Sequence, residues 1–228
     1  MPTNYFTNSA FFVSVFSFVI GISFARKKNK TPAVRFFGYF WLTVAFWTYF
    51  VFHQFELLRQ MPDFWWGFLL HAGCMYVPLI YFHFALHLTG KREAHDLALK
   101  IGYGFVALFI SLILFSQLFT GPIVYREAYA YPKPGVLYPV YIVFFQVYGF
   151  WGAFLILKWA RKLSADIRRK IHVFLLLQLA AHVGAMDNYL IMYDINWFPL
   201  YPYGLYLILP YAILGSRTIQ YLKTKALV

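Results

Sequence analysis

The sequence predicts an all-α fold, a bundle of seven transmembrane helices with the N-terminus outside and the C-terminus in the cytoplasm. Composition is the first reason, because 61% of the 228 residues are hydrophobic and only 12% are charged, whereas soluble domains carry roughly 25% charged residues. The second reason is a series of seven apolar runs, each close to the ~20 residues that a helix needs to cross the hydrocarbon core. The third is the placement of the basic residues.

The seven runs are predicted to form one integral membrane domain over residues 1–228. The helices are expected at approximately 7–25, 36–58, 64–88, 101–120, 138–160, 171–193 and 203–222. Backbone polar groups must be satisfied within lipid, so unbroken apolar runs indicate helices. The start of the chain lacks a basic segment before its apolar run, so no cleavable signal peptide is expected. A single cysteine, Cys74, excludes an internal disulfide.

Basic residues predict the orientation of the bundle. Of the 20 Lys and Arg residues, all but Arg59, Arg126 and Lys133 lie in the first, third and fifth loops or in the C-terminal tail. Basic loops face the cytoplasm, which places the N-terminus outside. The basic residues behind the net charge of +12 therefore form a cytoplasmic collar that faces anionic lipid. No nucleic-acid partner is expected.

The second outer loop, GPIVYREAYAYPKPGVLYP, contains several turn-forming residues between tyrosines. Pro132, Pro134, Gly135 and Pro139 are compatible with a short hairpin that covers the outer face. A plain connection with an aromatic belt at the membrane interface fits the same pattern. The sequence leaves both interpretations open.

Three motifs carry a resemblance to a known family. They are VPLIYFHFALHLTGK at 77–91, YPKPGVLYPVY at 131–141 and NWFPLYPYGLYLILPYAILGSRTI at 196–219. With this helix order, the chain resembles the N-terminal seven-helix membrane module of bacterial sensor histidine kinases. The resemblance implies a sensor in the bacterial cytoplasmic membrane with an output domain after the last helix. The sequence reaches Val228 without an ATP-binding segment or a phosphoacceptor helix, so we expect a detached output domain or a separate partner protein.

Polar side chains inside membrane helices are the candidates for a binding site, because such groups are costly in hydrocarbon and face protein or water. A rise of ~1.5 Å per residue brings most of them to the outer part of the bundle. The predicted ligand-binding residues are Asp187, His71, His53, Glu56, Gln146, Tyr141, His182 and Tyr206. Polar groups with aromatic walls are typical of small-ligand sites. The same residues also fit interhelical hydrogen bonds that fix the packing.

Asp187 is the most informative of these candidates. Ala180 and Gly184 share its helix face, and small residues let a membrane helix approach its neighbour closely. We therefore expect the carboxylate to point into the bundle.

A cofactor is not expected, although one alternative stays open. His83 and His87 lie on one face of the third helix, and His172 near the inner end of the sixth helix is a conceivable partner for haem. No metal site is expected. A retinal protein is excluded because the run 203–222 contains no lysine.

The leading interpretation is a membrane sensor or receptor module without enzymatic activity of its own. It binds a small ligand in the outer half of the bundle and signals to a cytoplasmic kinase or another output protein. One alternative is a structural or accessory subunit of a larger membrane complex, and another is a haem-carrying redox subunit. The sequence does not decide between a homodimer and a larger assembly.

Overall fold

The computed structural model describes residues 2–26, 31–56, 63–125, 130–195, 200, 203–225 and 227. Long helices dominate these residues, which confirms the predicted all-α fold class. In chain order the elements are α1 (Pro2–Ala25), α2 (Pro32–Glu56), α3 (Asp63–Leu88), a 3₁₀ turn (Glu93–His95), α4 (Asp96–Phe115), β1 (Thr120–Tyr125), β2 (Ala130–Pro134), α5 (Tyr138–Ala160), α6 (Ala165–Ala185), α7 (Asp187–Met192), a second 3₁₀ turn (Gly204–Leu207) and α8 (Ile208–Thr224).

The helices pack around α3, which contacts α2, α4 and α5. Its most apolar stretch is 78% buried, whereas that of α4 is only 28% buried, so α3 is central and α4 peripheral. Within the described parts of the chain, five helical stretches are long and apolar enough to cross a membrane: α1, α3, the 3₁₀ turn with α4, α5, and α6 with α7. The division into seven crossings and the orientation remain predictions.

Two ends of the bundle are distinguished by their connections. β1 and β2 pair antiparallel between α4 and α5, so the hairpin interpretation of the proline-rich loop is confirmed. Gly135 follows β2, where a side chain would collide with the backbone carbonyl of Leu118. We call the end of the bundle that carries β1 and β2 the hairpin end. The opposite end carries the turns 89–92 and 161–164, and we call it the basic end.

The helix boundaries differ from the predicted ones where polar residues extend or stop a helix. α4 begins at Asp96 and ends at Phe115, earlier than predicted, because Ser116 is extended (φ −154°) and directs the chain into the hairpin. α6 begins at Ala165, before the apolar run, and Asp166 in its first turn complements the helix dipole. The sixth segment is interrupted at Met186, and a 3₁₀ turn precedes α8.

Candidate functional site

A cavity of about 60 Å³ lies in the middle of the bundle. We call it the central cavity. Five helices line it: α2 with Phe40, Trp41, Val44 and Trp47; α3 with Val77, Pro78 and Tyr81; α5 with Phe145 and Gly149; α6 with Gln178, Ala181, His182 and Ala185; and α8 with Ile208 and Tyr211. The walls are thus mainly aromatic and aliphatic, with a few polar atoms among them. This is the usual composition of a small-molecule site.

The polar tips of three cavity residues lack hydrogen-bond partners in the part of the chain that the structure describes. Trp41 Nε1, Tyr81 Oη and Tyr211 Oη are buried, and none of them meets a donor or acceptor among the described residues. The whole side chains are at most 2% exposed. A buried polar group without a partner costs roughly 1–3 kcal/mol, and most such groups in native proteins are satisfied. All three side chains line the central cavity, which makes it the candidate site for a hydrogen-bonding ligand.

Ring packing holds these side chains in place. The Trp41 and Tyr211 ring centroids are 5.1 Å apart, and Tyr211 also packs on Phe174 at 5.3 Å. Tyr81 lies against Gly152 of α5, where an added Cβ would stand only 2.9 Å from the tyrosine ring. The missing side chain at Gly152 gives the Tyr81 ring its room. Packing thus fixes the positions of these three side chains, which belong to three different helices.

Two of the predicted site residues meet beside the central cavity. His182 Nε2 of α6 donates to Gln146 Oε1 of α5 across 2.5 Å. The His182 ring packs against Phe145 at 5.5 Å and Phe150 at 5.2 Å, and it forms part of the cavity wall. This pair joins α5 to α6 and adds an imidazole edge to the cavity. Gln178, one helical turn earlier on α6, is also buried in the wall.

Two other predicted residues lie closer to the hairpin end. Tyr141 Oη donates to the Cys74 sulfur at 2.9 Å, and Tyr189 Oη lies 4.0 Å from the same sulfur. We call these three side chains the Cys74 cluster. His71 is buried beside them and packs edge-on against Phe119, 5.6 Å away. Phe119 in turn contacts the Tyr141 ring, so His71 and Tyr141 share one aromatic region.

The remaining predicted residues do not join either group by a described contact. His53 packs against Tyr49 of its own helix, with ring centroids 4.2 Å apart. Tyr206 is half-buried in the 3₁₀ turn before α8. The side chains of Glu56 and Asp187 lie outside the described residues. The role of all these residues in ligand binding stays a prediction.

The histidines considered for haem form an aromatic stack. Phe36 of α2 stacks on His83 at 3.7 Å and on His87 at 5.0 Å, and His83 Nδ1 is 3.0 Å from Tyr103 Oη. His172 instead lines an exposed groove between α5 and α6. Among the described residues, no group of three or more His, Cys, Asp or Glu side chains is placed to hold a metal ion. Haem binding stays untested.

Trp41, Tyr81 and Tyr211 were not predicted as site residues. Each lies within an apolar run, where Trp and Tyr read as ordinary hydrophobic residues. The available signal was their position, because Trp and Tyr are enriched at the membrane interfaces rather than near the middle of a helix. Gln178, a polar residue in the middle of a run, was a second signal.

Comparison with protein families gives the sequence a context. The family model for the N-terminal 7TM region of histidine kinase matches residues 9–221. The chain belongs to this family. No curated protein and no solved structure matches it significantly. The resemblance stated from the sequence motifs is confirmed, and the 7TM region is a multi-pass membrane sensor module.

Proposed function

We propose that this 7TM region senses a small uncharged molecule that binds in the central cavity. The supporting observation is that Trp41, Tyr81 and Tyr211 all line this apolar cavity, while their polar atoms have no hydrogen-bond partner among the described residues. The indole N–H only donates, and a tyrosine hydroxyl donates or accepts. A ligand with one carbonyl or ether oxygen and an otherwise apolar body accepts hydrogen bonds from up to two of these groups through its two lone pairs. A charged ligand is disfavoured, because no oppositely charged Lys, Arg, Asp or Glu side chain lines the cavity within the described residues.

The cavity volume limits the size of this ligand. At about 60 Å³ it is smaller than the ~150 Å³ engineered cavity that holds benzene. A molecule as small as acetone fits the present packing, whereas a larger ring requires the walls to separate. Binding of a larger ligand thus favours a second, wider packing of the helices, and that difference in affinity is what signalling requires.

The signal then passes to an output protein. We propose that α8 carries the change to a cytoplasmic kinase or another output partner, as the family implies, and that the module itself catalyses no reaction. The basic loops support an orientation with the C-terminus in the cytoplasm, in the inner membrane of a bacterium. The family relation favours this role over an accessory subunit or a haem-carrying redox subunit. A homodimer or larger complex is compatible with the role.

Thermal unfolding of the purified protein in detergent tests the proposal. The probes are a graded series of ketones from acetone to cyclohexanone, with cyclopentane as the hydrocarbon of matched size. Ligand binding to the folded state raises the melting temperature, so we expect the ketones to raise it more than cyclopentane does. The ketone size with the largest effect reports how far the walls separate. Equal shifts for cyclopentanone and cyclopentane, or no shift for any probe, would contradict the proposal.

A further inference from the structure

A second candidate site lies at the basic end of the bundle, away from the central cavity. A groove of about 410 Å³ runs between the turn after α3 and the last turns of α5. Lys91, Lys158 and Lys162 line it together with His95 and two tryptophans, Trp151 and Trp159. All three lysines are exposed. No acidic residue lines the groove among the described residues, so it presents concentrated positive charge.

The described residues do not neutralise the charge of this groove. Nearby basic residues are paired: Arg92 and Lys100 both contact Asp96, at 2.5 and 2.6 Å. By contrast, the three groove lysines have no ion-pair partner in the part of the chain that the structure describes. His95 Nδ1 is a buried polar atom that also lacks a hydrogen-bond partner among the described residues. The groove thus offers three ammonium groups to an anion, beside the ring of His95.

An apolar furrow continues from the basic groove. It has a volume of about 600 Å³ and runs between α4 and α5 toward the hairpin end. Ala94, His95 and Trp151 line both spaces, so the two adjoin at these residues. The walls of the furrow include exposed Val143 (60%) and Val147 (49%).

The floor of the furrow is closed by a hydrogen bond between its two helices. Tyr148 Oη of α5 donates to the Ala98 carbonyl of α4 across 2.7 Å. The Trp151 ring lies at the junction, 5.5 Å from the His95 ring. Trp side chains are favoured at the headgroup level of a membrane, where one part of the ring is wet and the other is apolar.

We propose that the basic groove and the adjoining furrow together bind one anionic phospholipid. The phosphate lies among Lys91, Lys158 and Lys162, with His95 at the junction, and one acyl chain follows the furrow between α4 and α5. An acidic peptide or a free phosphate ion does not match the apolar furrow, and a neutral lipid does not match the lysines. The surface is amphipathic, because it is basic at one end and apolar along its length. It therefore matches a ligand that has both an anionic headgroup and an acyl chain.

Native mass spectrometry of the full chain in detergent tests this assignment by titration with phosphatidylglycerol and, separately, with phosphatidylcholine. We expect phosphatidylglycerol to bind more tightly. The Lys158→Gln/Lys162→Gln variant is expected to weaken its binding by at least about tenfold, given the attraction of each lysine to anionic lipid. The matched control is Arg168→Gln/Arg169→Gln, which removes two exposed charges from the first turns of α6, outside the groove; less than about a twofold change is expected.

Two further measurements separate the lipid from other anions. Val147→Trp places a bulky ring in the furrow at an exposed position, so it should weaken phosphatidylglycerol binding without affecting folding. Glycerol phosphate, which has the headgroup charge and no acyl chain, should not compete at millimolar concentration. Equal losses in the α6 control, unchanged binding by the lysine variant, unchanged binding by Val147→Trp, or full competition by glycerol phosphate would each overturn the assignment.

Discussion

The Cys74 cluster and the central cavity are neighbouring regions that α3 and α5 both help to build from buried aromatic side chains. In the Cys74 cluster, the Tyr141 hydroxyl donates to sulfur at 2.9 Å. Around the central cavity, the polar tips of Trp41 and Tyr211 meet no hydrogen-bond partner among the described residues. Burial is the same in both regions, so hydrogen bonding makes the difference. The first region is complete without a ligand, whereas the second is not.

The largest expected effect comes from filling the central cavity. Ala181 is buried in its wall, and Ala181→Leu places three more carbon atoms in a space of about 60 Å³. We expect the ketone-induced rise in melting temperature to disappear. The matched control is Ala180→Leu on the adjacent, half-buried position of α6, which does not line the cavity. Loss of the ketone response in both variants would point to a general disturbance of α6 and contradict the cavity assignment.

The second prediction is that two tyrosine-to-phenylalanine variants change the free energy of unfolding in different directions. Tyr141→Phe removes a made hydrogen bond and is expected to destabilise the protein by about 1 kcal/mol. Tyr211→Phe removes a hydroxyl without a described partner, so it should be neutral or stabilising by up to about 1 kcal/mol.

Thermal unfolding in detergent measures both variants, and the ketone series distinguishes them further. Tyr211→Phe should reduce the ketone response, whereas Tyr141→Phe should leave it intact. If both variants destabilise the protein equally, the two regions do not differ in hydrogen bonding and the comparison fails.

A third prediction concerns the pair that borders the cavity. Gln146→Leu leaves the half-buried His182 ring without its 2.5 Å partner, which should destabilise the protein by roughly 1 kcal/mol. In a double-mutant cycle with His182→Leu, we expect a coupling of about 1 kcal/mol, since contacting residues are rarely additive. Additive single effects would show that the hydrogen bond contributes nothing to stability.

The smallest effect is expected at Asp187. If the ligand lies in the central cavity, Asp187→Asn should leave the ketone response of the protein unchanged within the measurement error. A full loss of response in this variant would move the ligand site to α7 and support the original prediction from the sequence. Tyr211→Phe serves as the comparison within the same experiment.

The sequence predicted the helices well because their main constraint is a simple one. A segment that crosses lipid must be long, apolar and helical, and those properties are visible in the residues themselves. The boundaries were less accurate, since a helix does not end where the lipid ends. The polar start of α6 at Ala165 and the extended Ser116 after α4 depend on turns and capping outside the apolar runs.

The site was only partly predictable. Gln146 and His182 stood out as polar residues within apolar runs, and the structure places them together. The central cavity depends on where five helices carry small residues at their contacts. Gly152 opposite Tyr81 is one example. No local pattern in the sequence contains that information. Trp41 became a candidate because its Nε1 has no hydrogen-bond partner among the described residues, and only the assembled bundle shows this.

Pro78, in the wall of the central cavity, is a position at which the bend of α3 can change. Proline has no N–H, so the carbonyl of Cys74 loses its usual helical partner, although α3 continues through this position. From Pro78 to Leu88 the helix forms an arm of roughly 15 Å, and a change of about 10° in the bend would shift its tip by roughly 2–3 Å. That tip leads directly to Lys91 in the wall of the basic groove, so a change in the bend at Pro78, which lines the central cavity, would move one wall of the groove.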